Sequence, residues 1–338
     1  MQPHRFTLSS LLLSAVLGVF SVPANARDVS DEKRDIESIL LRMQSSAQKL
    51  NYAGTFVYQQ ASQIRTSRIT HLVNADGEIE KLEILDGKQR EYIRKDDEVT
   101  CYLPDSKTIQ IEKNVTQEVF PALLGKNVQT LPDLYSIKKG EMSRVAGVDC
   151  QTYALEPKDA YRYGYRLCSE KHSGLLLRVQ TVNPKNEVIE QIAFTQLNLG
   201  EIDKNKVRPS FQNVTHWRIE NLTVQSNIRS GWVVKSLPAG FKKTKEMARL
   251  IPTPASQTSA DGKPAKSHQV IQMIFSDGLA AISVFIEPDT GNRTEGSLQQ
   301  GAMTIMGKRQ GDYWLTVVGE VPAAAIRQVI NSIELKSK

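Results

Sequence analysis

Residues 52–87 read YAGTFVYQQASQIRTSRITHLVNADGEIEKLEILDG. Within them Gly54 to Tyr58, Arg68 to Val73 and Lys81 to Leu85 are short alternating or β-rich runs, and Asp76-Gly77 and Asp86-Gly87 are dipeptides that tight hairpin turns select. The spacing predicts strands folding back on one another. The pattern continues at Arg90 to Arg94, Val99 to Leu103 and Thr108 to Glu112, then at Gln151 to Glu156, Tyr161 to Cys168, Leu175 to Thr181 and Val188 to Leu197. A sheet of that many strands has to curl, and a curled sheet with a helix across its mouth encloses a concave apolar interior. The expected class is α+β, mainly antiparallel β.

The helix lies just upstream. Ile36, Ile39, Leu40, Met43, Ala47 and Leu50 recur at helical spacing, with Asp31, Glu32 and Asp35 near the start, where the helix dipole favours carboxylates. Val115 to Leu124, with Phe120, Leu123 and Leu124 around Pro121 and Gly125 at its end, reads as a short apolar helix or loop. Further upstream, His4 and Arg5 precede an apolar run from Leu8 to Phe20 and the small-x-small triplet Ala24-Asn25-Ala26. These are the three parts of a cleavable secretory signal over residues 1–26, and the run is short of the roughly 20 residues that span a bilayer. Export to a compartment outside the cytoplasm is expected.

Between Leu199 and His216 the apolar pattern lapses, so a curled-sheet unit is expected over 27–200, a linker over 201–216 and a second β-rich unit over 217–338. Strands are predicted there near Trp232 to Ser236, Lys243 to Ile251, Gln269 to Ser276, Ala281 to Glu287, Gly301 to Lys308 and Tyr313 to Glu320. A helix beginning at Pro322 should bury Ile326, Val329, Ile330 and Ile333, and the polar, Pro-rich stretch 252–267 reads as a loop.

Three cysteines enter an oxidising compartment, so one is left over. Cys150 and Cys168 lie equally far from Asp159, at the centre of a hairpin, and can face each other as a disulfide. The other reading makes all three small buried residues, and Cys101 a core thiol. Residues 27–216 hold 27 basic and 27 acidic residues, whereas 217–338 hold 15 and 10, which places the positive excess in the second unit. Arg218, Arg229, Lys235, Lys242, Lys243, Lys245 and Arg249 cluster early in it, suited to an acidic protein segment or anionic head groups, or simply to a solvated face.

Catalytic signatures are missing from the sequence. The histidines downstream of residue 26, at 71, 172, 216 and 268, have no zinc-ligand spacing, and no nucleophile elbow, phosphate loop, dinucleotide fingerprint or Cys-x-x-Cys occurs. No catalytic residue, metal or cofactor is expected. The most unusual string is Tyr161-Arg162-Tyr163-Gly164-Tyr165-Arg166-Leu167. Strand parity would send Tyr161, Tyr163 and Tyr165 to one face and Arg162 and Arg166 to the other. Phenolic tips reaching water would suit a peptide or amphiphile, while a tyrosine ladder packed on the first helix is the plainer alternative. Nucleic-acid binding, the other use of such interleaving, does not fit an exported protein.

Several strings, in order, resemble the RseB/MucB family of periplasmic negative regulators of the stress sigma factor sigma-E or AlgU. They are Tyr52-Ala53-Gly54-Thr55-Phe56-Val57-Tyr58, Leu85-Asp86-Gly87 followed by Arg90-Glu91, Cys101-Tyr102-Leu103-Pro104-Asp105, Arg144-Val145-Ala146-Gly147 and Pro157-Lys158-Asp159 leading into the tyrosine string. Downstream come Leu237-Pro238-Ala239-Gly240-Phe241, Ser276-Asp277-Gly278-Leu279-Ala280 and Val318-Gly319-Glu320-Val321-Pro322. The resemblance implies a LolA/LolB-like unclosed β-barrel with helices over its opening, and a smaller C-terminal β-domain with a helix. It implies binding to the periplasmic part of an RseA- or MucA-like anti-sigma factor, shielding it from site-1 proteolysis, with release by lipopolysaccharide or another acyl-chain lipid. A lipid or lipoprotein carrier is the competing reading, and self-association is left open. Candidate lipid contacts are Phe56, Tyr58, Leu82, Ile84, Phe120, Leu123, Leu124, Leu175, Leu177 and Phe194, although plain core packing is the commoner role for any one of them, because strand parity does not say which face is concave. Candidate partner contacts are Tyr163, Tyr165 and the seven cations named above.

Overall fold

The computed structural model describes residues 29–75, 77–113, 120–222, 224–226, 228–252 and 267–336, so the signal segment 1–26 and most of the 252–267 loop lie outside it. The first helix, α1 (Val29–Lys49), turns Leu40, Met43 and Ala47 inward at the i, i+3, i+7 spacing the sequence predicts. Eleven strands follow: β1 (Tyr52–Gln60), β2 (Gln63–Asn74), β3 (Gly77–Ile84), β4 (Arg90–Lys95), β5 (Glu98–Leu103), β6 (Thr108–Lys113), β7 (Tyr135–Val145), β8 (Val148–Pro157), β9 (Gly164–Glu170), β10 (Leu176–Val182) and β11 (Val188–Leu199). A twelfth strand, β12 (Arg218–Leu222), completes one large sheet in the order β12-β6-β5-β4-β3-β2-β1-β11-β10-β9-β8-β7. Its edges, β12 and β7, do not pair, so the barrel is unclosed.

The helix covers only part of the concave face. Leu40, Met43 and Ala47 share one core with Phe56, Phe120, Leu124, Leu175, Leu177 and Phe194. Gly54 permits this packing: a Cβ there would lie 2.7 Å from the Phe194 ring and 2.5 Å from the carbonyl oxygen of Gln196. A short helix, α2 (Leu131–Leu134), buries Leu131 and Leu134 beside α1. Of the predicted apolar segment, 115–119 lies outside the described residues, while Phe120 and Leu124 enter the core from a loop.

Cys150 and Cys168 are joined, with a Cα–Cα separation of 5.5 Å, and Cys101 is a buried free thiol. Cys150 faces Glu170 and Cys168 faces Thr152, so the bond runs diagonally across β8 and β9. The hairpin is thus centred one residue beyond Asp159.

The second sheet has the order β13 (Val224–Ser226), β15 (Lys242–Pro252), β16 (Ser267–Ser276), β17 (Ala281–Pro288), β20 (Tyr313–Gly319), β19 (Met303–Gln310), β18 (Gly296–Gln300). The helix α3 (Ala323–Ile330) packs Ile326, Val329 and Ile330 against Ile282, Val284, Leu315 and Val317. Ile333, expected on that helix, is buried instead from the strand β21 (Ile333–Leu335), which pairs with β14 (Trp232–Val234). Two further expectations are corrected. The 201–216 stretch is not a free linker: Ile202 and Val207 pack on Leu72 of β2, and Phe211 and Trp217 on Tyr102 of β5, so it straps the convex face. The strand after it, β12, runs parallel to β6, which moves Arg218 into the first unit.

The tyrosine string also departs from parity. The strand β9 begins only at Gly164, because Asp159 accepts hydrogen bonds from the Tyr161 amide (2.9 Å) and from Arg162 Nε (3.0 Å), holding residues 158–163 in a bend. Arg162 turns inward, and Tyr163 and Tyr165 are 4 % and 5 % exposed, so their tips do not reach water.

Candidate functional site

Beyond the reach of α1, the concave face of β3 to β6 is open and forms a cavity of about 630 Å³. Register assembles its floor. Leu82 faces Tyr92, Tyr92 faces Cys101, and Cys101 faces Gln110, so one row of side chains points inward from four strands. Ile84, Leu103 and Leu222 widen the apolar surface, while Arg90, Arg94, Glu80 and Glu112 add charge. A space of this size, apolar with a few convergent polar groups, suits a small amphiphile. Burial pushes the Cys101 thiol up, which makes it an unreactive apolar wall at neutral pH.

At one end the cavity is tied to α1. Nδ1 of His71 donates to the Leu50 carbonyl oxygen (2.7 Å), its Nε2 lies 3.0 Å from Glu78, and Arg94 Nη2 reaches the same carboxylate at 2.5 Å. These partners, His71 first and then Arg94, hold Glu78 down to about 2 against the opposing effect of burial. Neighbouring Glu80 is pushed the other way by burial, although Arg94 opposes the change.

Of the ten candidate lipid contacts, Leu82 and Ile84 line this cavity. The other eight do not. Phe56, Phe120, Leu124, Leu175, Leu177 and Phe194 are core beneath α1, and Leu123 packs against that core. The hydroxyl of Tyr58 donates to Glu190. The helix decides the difference, since the same concave face is core where α1 covers it and cavity where it does not. The missed residues Tyr92, Cys101 and Leu103 share the inward row with Leu82, and the Asp86-Gly87 turn was the signal that could have placed Tyr92 opposite it.

The two domains meet along a polar interface. Arg162 donates from Nη1 to Asp277 (2.7 Å) and from Nη2 to the Ala239 carbonyl oxygen (2.6 Å), with its side chain fully buried. Tyr163 Oη accepts from Gln299 (3.0 Å), and Gln60 Nε2 donates to the Gln300 carbonyl oxygen (3.0 Å). Tyr165 stays in the first domain's core against Tyr135. Tyr163 therefore serves the contact between domains rather than an outside partner. The cations spread out. Arg218 pairs with Glu220, Lys235 with Glu334, Lys243 with Glu246 and Arg249 with Glu112, while Lys245 lies half-buried near the last pair and Arg229 and Lys242 are exposed.

Glu190 gives this interface a pH dependence. One of its oxygens accepts from Tyr58, the other is buried with no close hydrogen-bond partner among the described residues, the Ala302 amide offers only partial relief, and Glu320 of the second domain adds like charge. Burial, then Glu320, push it up to about 7. The folded protein therefore keeps a proton that the unfolded chain releases near pH 4.5, so this group's contribution to stability falls as pH rises from about 4.5 through 7. A shift of that size corresponds to about 3 kcal/mol. Glu190→Gln should accordingly raise the urea midpoint at pH 8 and leave it nearly unchanged at pH 5. An equal effect at both values would contradict the assignment.

Two family models match the chain, the MucB/RseB N-terminal domain over residues 35–211 and the MucB/RseB C-terminal domain over residues 226–334. The sigma factor AlgU regulatory protein MucB of Pseudomonas aeruginosa is 30% identical, covering 97% of this chain and 97% of its own length. The sigma-E factor regulatory protein RseB of Escherichia coli K12 is 23% identical over 95% of this chain and 96% of the relative. Among solved structures, MucB in complex with MucA(peri) is similar at 27% identity and TM-score 0.66, covering 90% of this chain and 100% of that one. A second MucA/MucB complex from Pseudomonas aeruginosa reaches a TM-score of 0.69 with the same identity and coverage. Matched across both domains, in order and over nearly its whole length, this chain belongs to the MucB/RseB family.

Proposed function

We propose that the protein is a periplasmic negative regulator of a sigma-E-type envelope stress response, acting by binding the periplasmic segment of a MucA-like anti-sigma factor. The observation that carries this reading is the likeness, over 90% of the chain, to MucB bound to MucA(peri). Bound there, the protein would shield the anti-sigma factor from the first proteolytic cut, and the exposed cations Arg229 and Lys242 are candidate contacts for it. The cavity over Leu82 and Ile84 is the proposed seat of an acyl chain that relieves the shield. The two ligands need only be coupled by 1–3 kcal/mol, about 5- to 150-fold in affinity, for the protein to act as a switch.

Calorimetric titration of the chain lacking residues 1–26 with a MucA-like periplasmic segment tests the reading. Saturable binding that weakens on adding an acyl-chain amphiphile is expected, together with protection of the Cys101 thiol from alkylation under mild denaturant. No binding at low salt would overturn the proposal. Binding that ignores the amphiphile would remove the lipid switch from it.

A further inference from the structure

The cavity and the second domain share one ion pair. Glu112, near the end of β6, lines the cavity, and its carboxylate accepts from Arg249 Nη2 (2.7 Å) and Nη1 (3.2 Å) of β15. The backbone ties the same two places together. The cavity-lining strand β12 ends at Leu222, β13 begins at Val224, and Val224 pairs with Arg249. Any shift of the cavity wall is therefore delivered to the residue that holds Glu112.

Arg249 is only partly satisfied in this arrangement. Its Nε is buried and has no acceptor among the described residues, and a buried unpaired donor is unfavourable. Lys245, on the same face of β15, stands near both Glu112 and Arg249, so one carboxylate faces two cations. Arg90 adds a further cation to the lining itself. The lining itself is balanced, Arg90 and Arg94 against Glu80 and Glu112, so Arg249 and Lys245 behind Glu112 tip this corner to positive beside the apolar floor of Leu82, Leu103 and Leu222. A guanidinium with an unused donor edge is suited to a second carboxylate or phosphate, which it can grip bidentately.

We propose that Arg249 reads the head group of the cavity's occupant, exchanging Glu112 for the anion of an amphiphile whose chain lies along the apolar floor. This inference rests on the reading of the cavity as an amphiphile site. It goes further in assigning charge selectivity to one residue and in making that residue the link to the second domain. A neutral amphiphile fills the cavity and leaves the Arg249–Glu112 pair closed. An anionic one opens it, freeing β15 and β13 from the first domain at that corner.

Laurate and 1-monolaurin, which share a chain and differ in charge, separate the alternatives when titrated into the protein lacking residues 1–26 and into its Arg249→Gln and Glu112→Gln variants. Wild type should bind laurate about tenfold or more tightly than monolaurin, the size of one charge-assisted contact. Arg249→Gln should abolish that preference while leaving monolaurin affinity unchanged. Glu112→Gln, which removes the competing carboxylate, should strengthen laurate several-fold and leave monolaurin as it was. Equal affinities in wild type, or a preference that survives Arg249→Gln, would overturn the assignment while leaving the cavity reading intact. Failure of both amphiphiles to bind wild type would remove the cavity reading and this one with it. If Arg249→Gln also loses monolaurin, its cavity has collapsed and Glu112→Gln decides: stronger laurate binding supports the exchange, and unchanged binding overturns it.

Discussion

Replacing Arg162 with methionine should lower stability by about 3–5 kcal/mol and split a single unfolding transition into two, the size expected when one partner of a buried ion pair is removed. The guanidinium is enclosed between the domains. It bonds Asp159 and Asp277 and the Ala239 carbonyl, and lies 5.7 Å from the Tyr135 ring centroid and 5.6 Å from that of Phe241. Asp277 is fully buried and accepts from the amides of Leu279 (3.0 Å) and Ala280 (2.8 Å); burial pushes its carboxyl up, and those amides and Arg162 resist the change. Without Arg162, Asp277 must either keep an unpaired buried charge or take up a proton, and docking weakens either way. Each domain has its own core, so the domains should then melt separately. The double variant Arg162→Met, Asp277→Asn should recover much of the loss, since asparagine still accepts from both amides and carries no charge. Urea denaturation followed by fluorescence and far-ultraviolet dichroism measures both effects. A single transition within 1 kcal/mol of wild type would refute the role given to Arg162.

Arg162 also shows where sequence reasoning stops. Strand parity put it on the face opposite a tyrosine row, and the error arose because Asp159, three residues earlier, competes locally for the backbone and delays the strand. The strands that were legible are those buried on one face, such as β17, where Ile282, Val284 and Ile286 alternate with more exposed residues. Those that were not legible are edges. In β18 every residue is exposed, and β7 buries only Tyr135 and Val145 while showing Lys138, Lys139, Glu141 and Arg144 to solvent. Charged, weakly patterned edges resist unwanted pairing, and for the same reason they leave no hydrophobic period to read. The concave face was readable as an apolar row in Phe56, Leu82 and Ile84. Which part of it is cavity depends on how far α1 extends over it, a tertiary fact with no local signal.

The second large effect is expected at Lys81, on the opposite, convex face of β3. Its side chain is 5% exposed and its ammonium donates to Glu91 (3.0 Å), to the Arg208 carbonyl oxygen (2.9 Å) and to Ser210 Oγ (2.7 Å), which uses all three donors. Glu91, 3% exposed, accepts in turn from the Ser210 amide. These contacts fasten the strap between β11 and β12 to the outside of the half-barrel. The strap leads into β12, whose Leu222 closes one side of the cavity, so it joins convex-face chemistry to the shape of the site. Lys81→Met leaves Glu91 buried with the Ser210 amide as its remaining charge-stabilising donor, and the expected loss is about 3–5 kcal/mol. Because the strap carries Lys204 and Lys206, neither followed by proline, trypsin should cut there far faster in the variant under native conditions. Adding Glu91→Gln should restore resistance in large part, since glutamine keeps the acceptor for Ser210 without the charge. Trypsin cutting of Lys81→Met at the wild-type rate would mean that the strap is held by Phe211 and Trp217 on Tyr102 rather than by the ion pair, and that the cavity wall is anchored by aromatic packing instead.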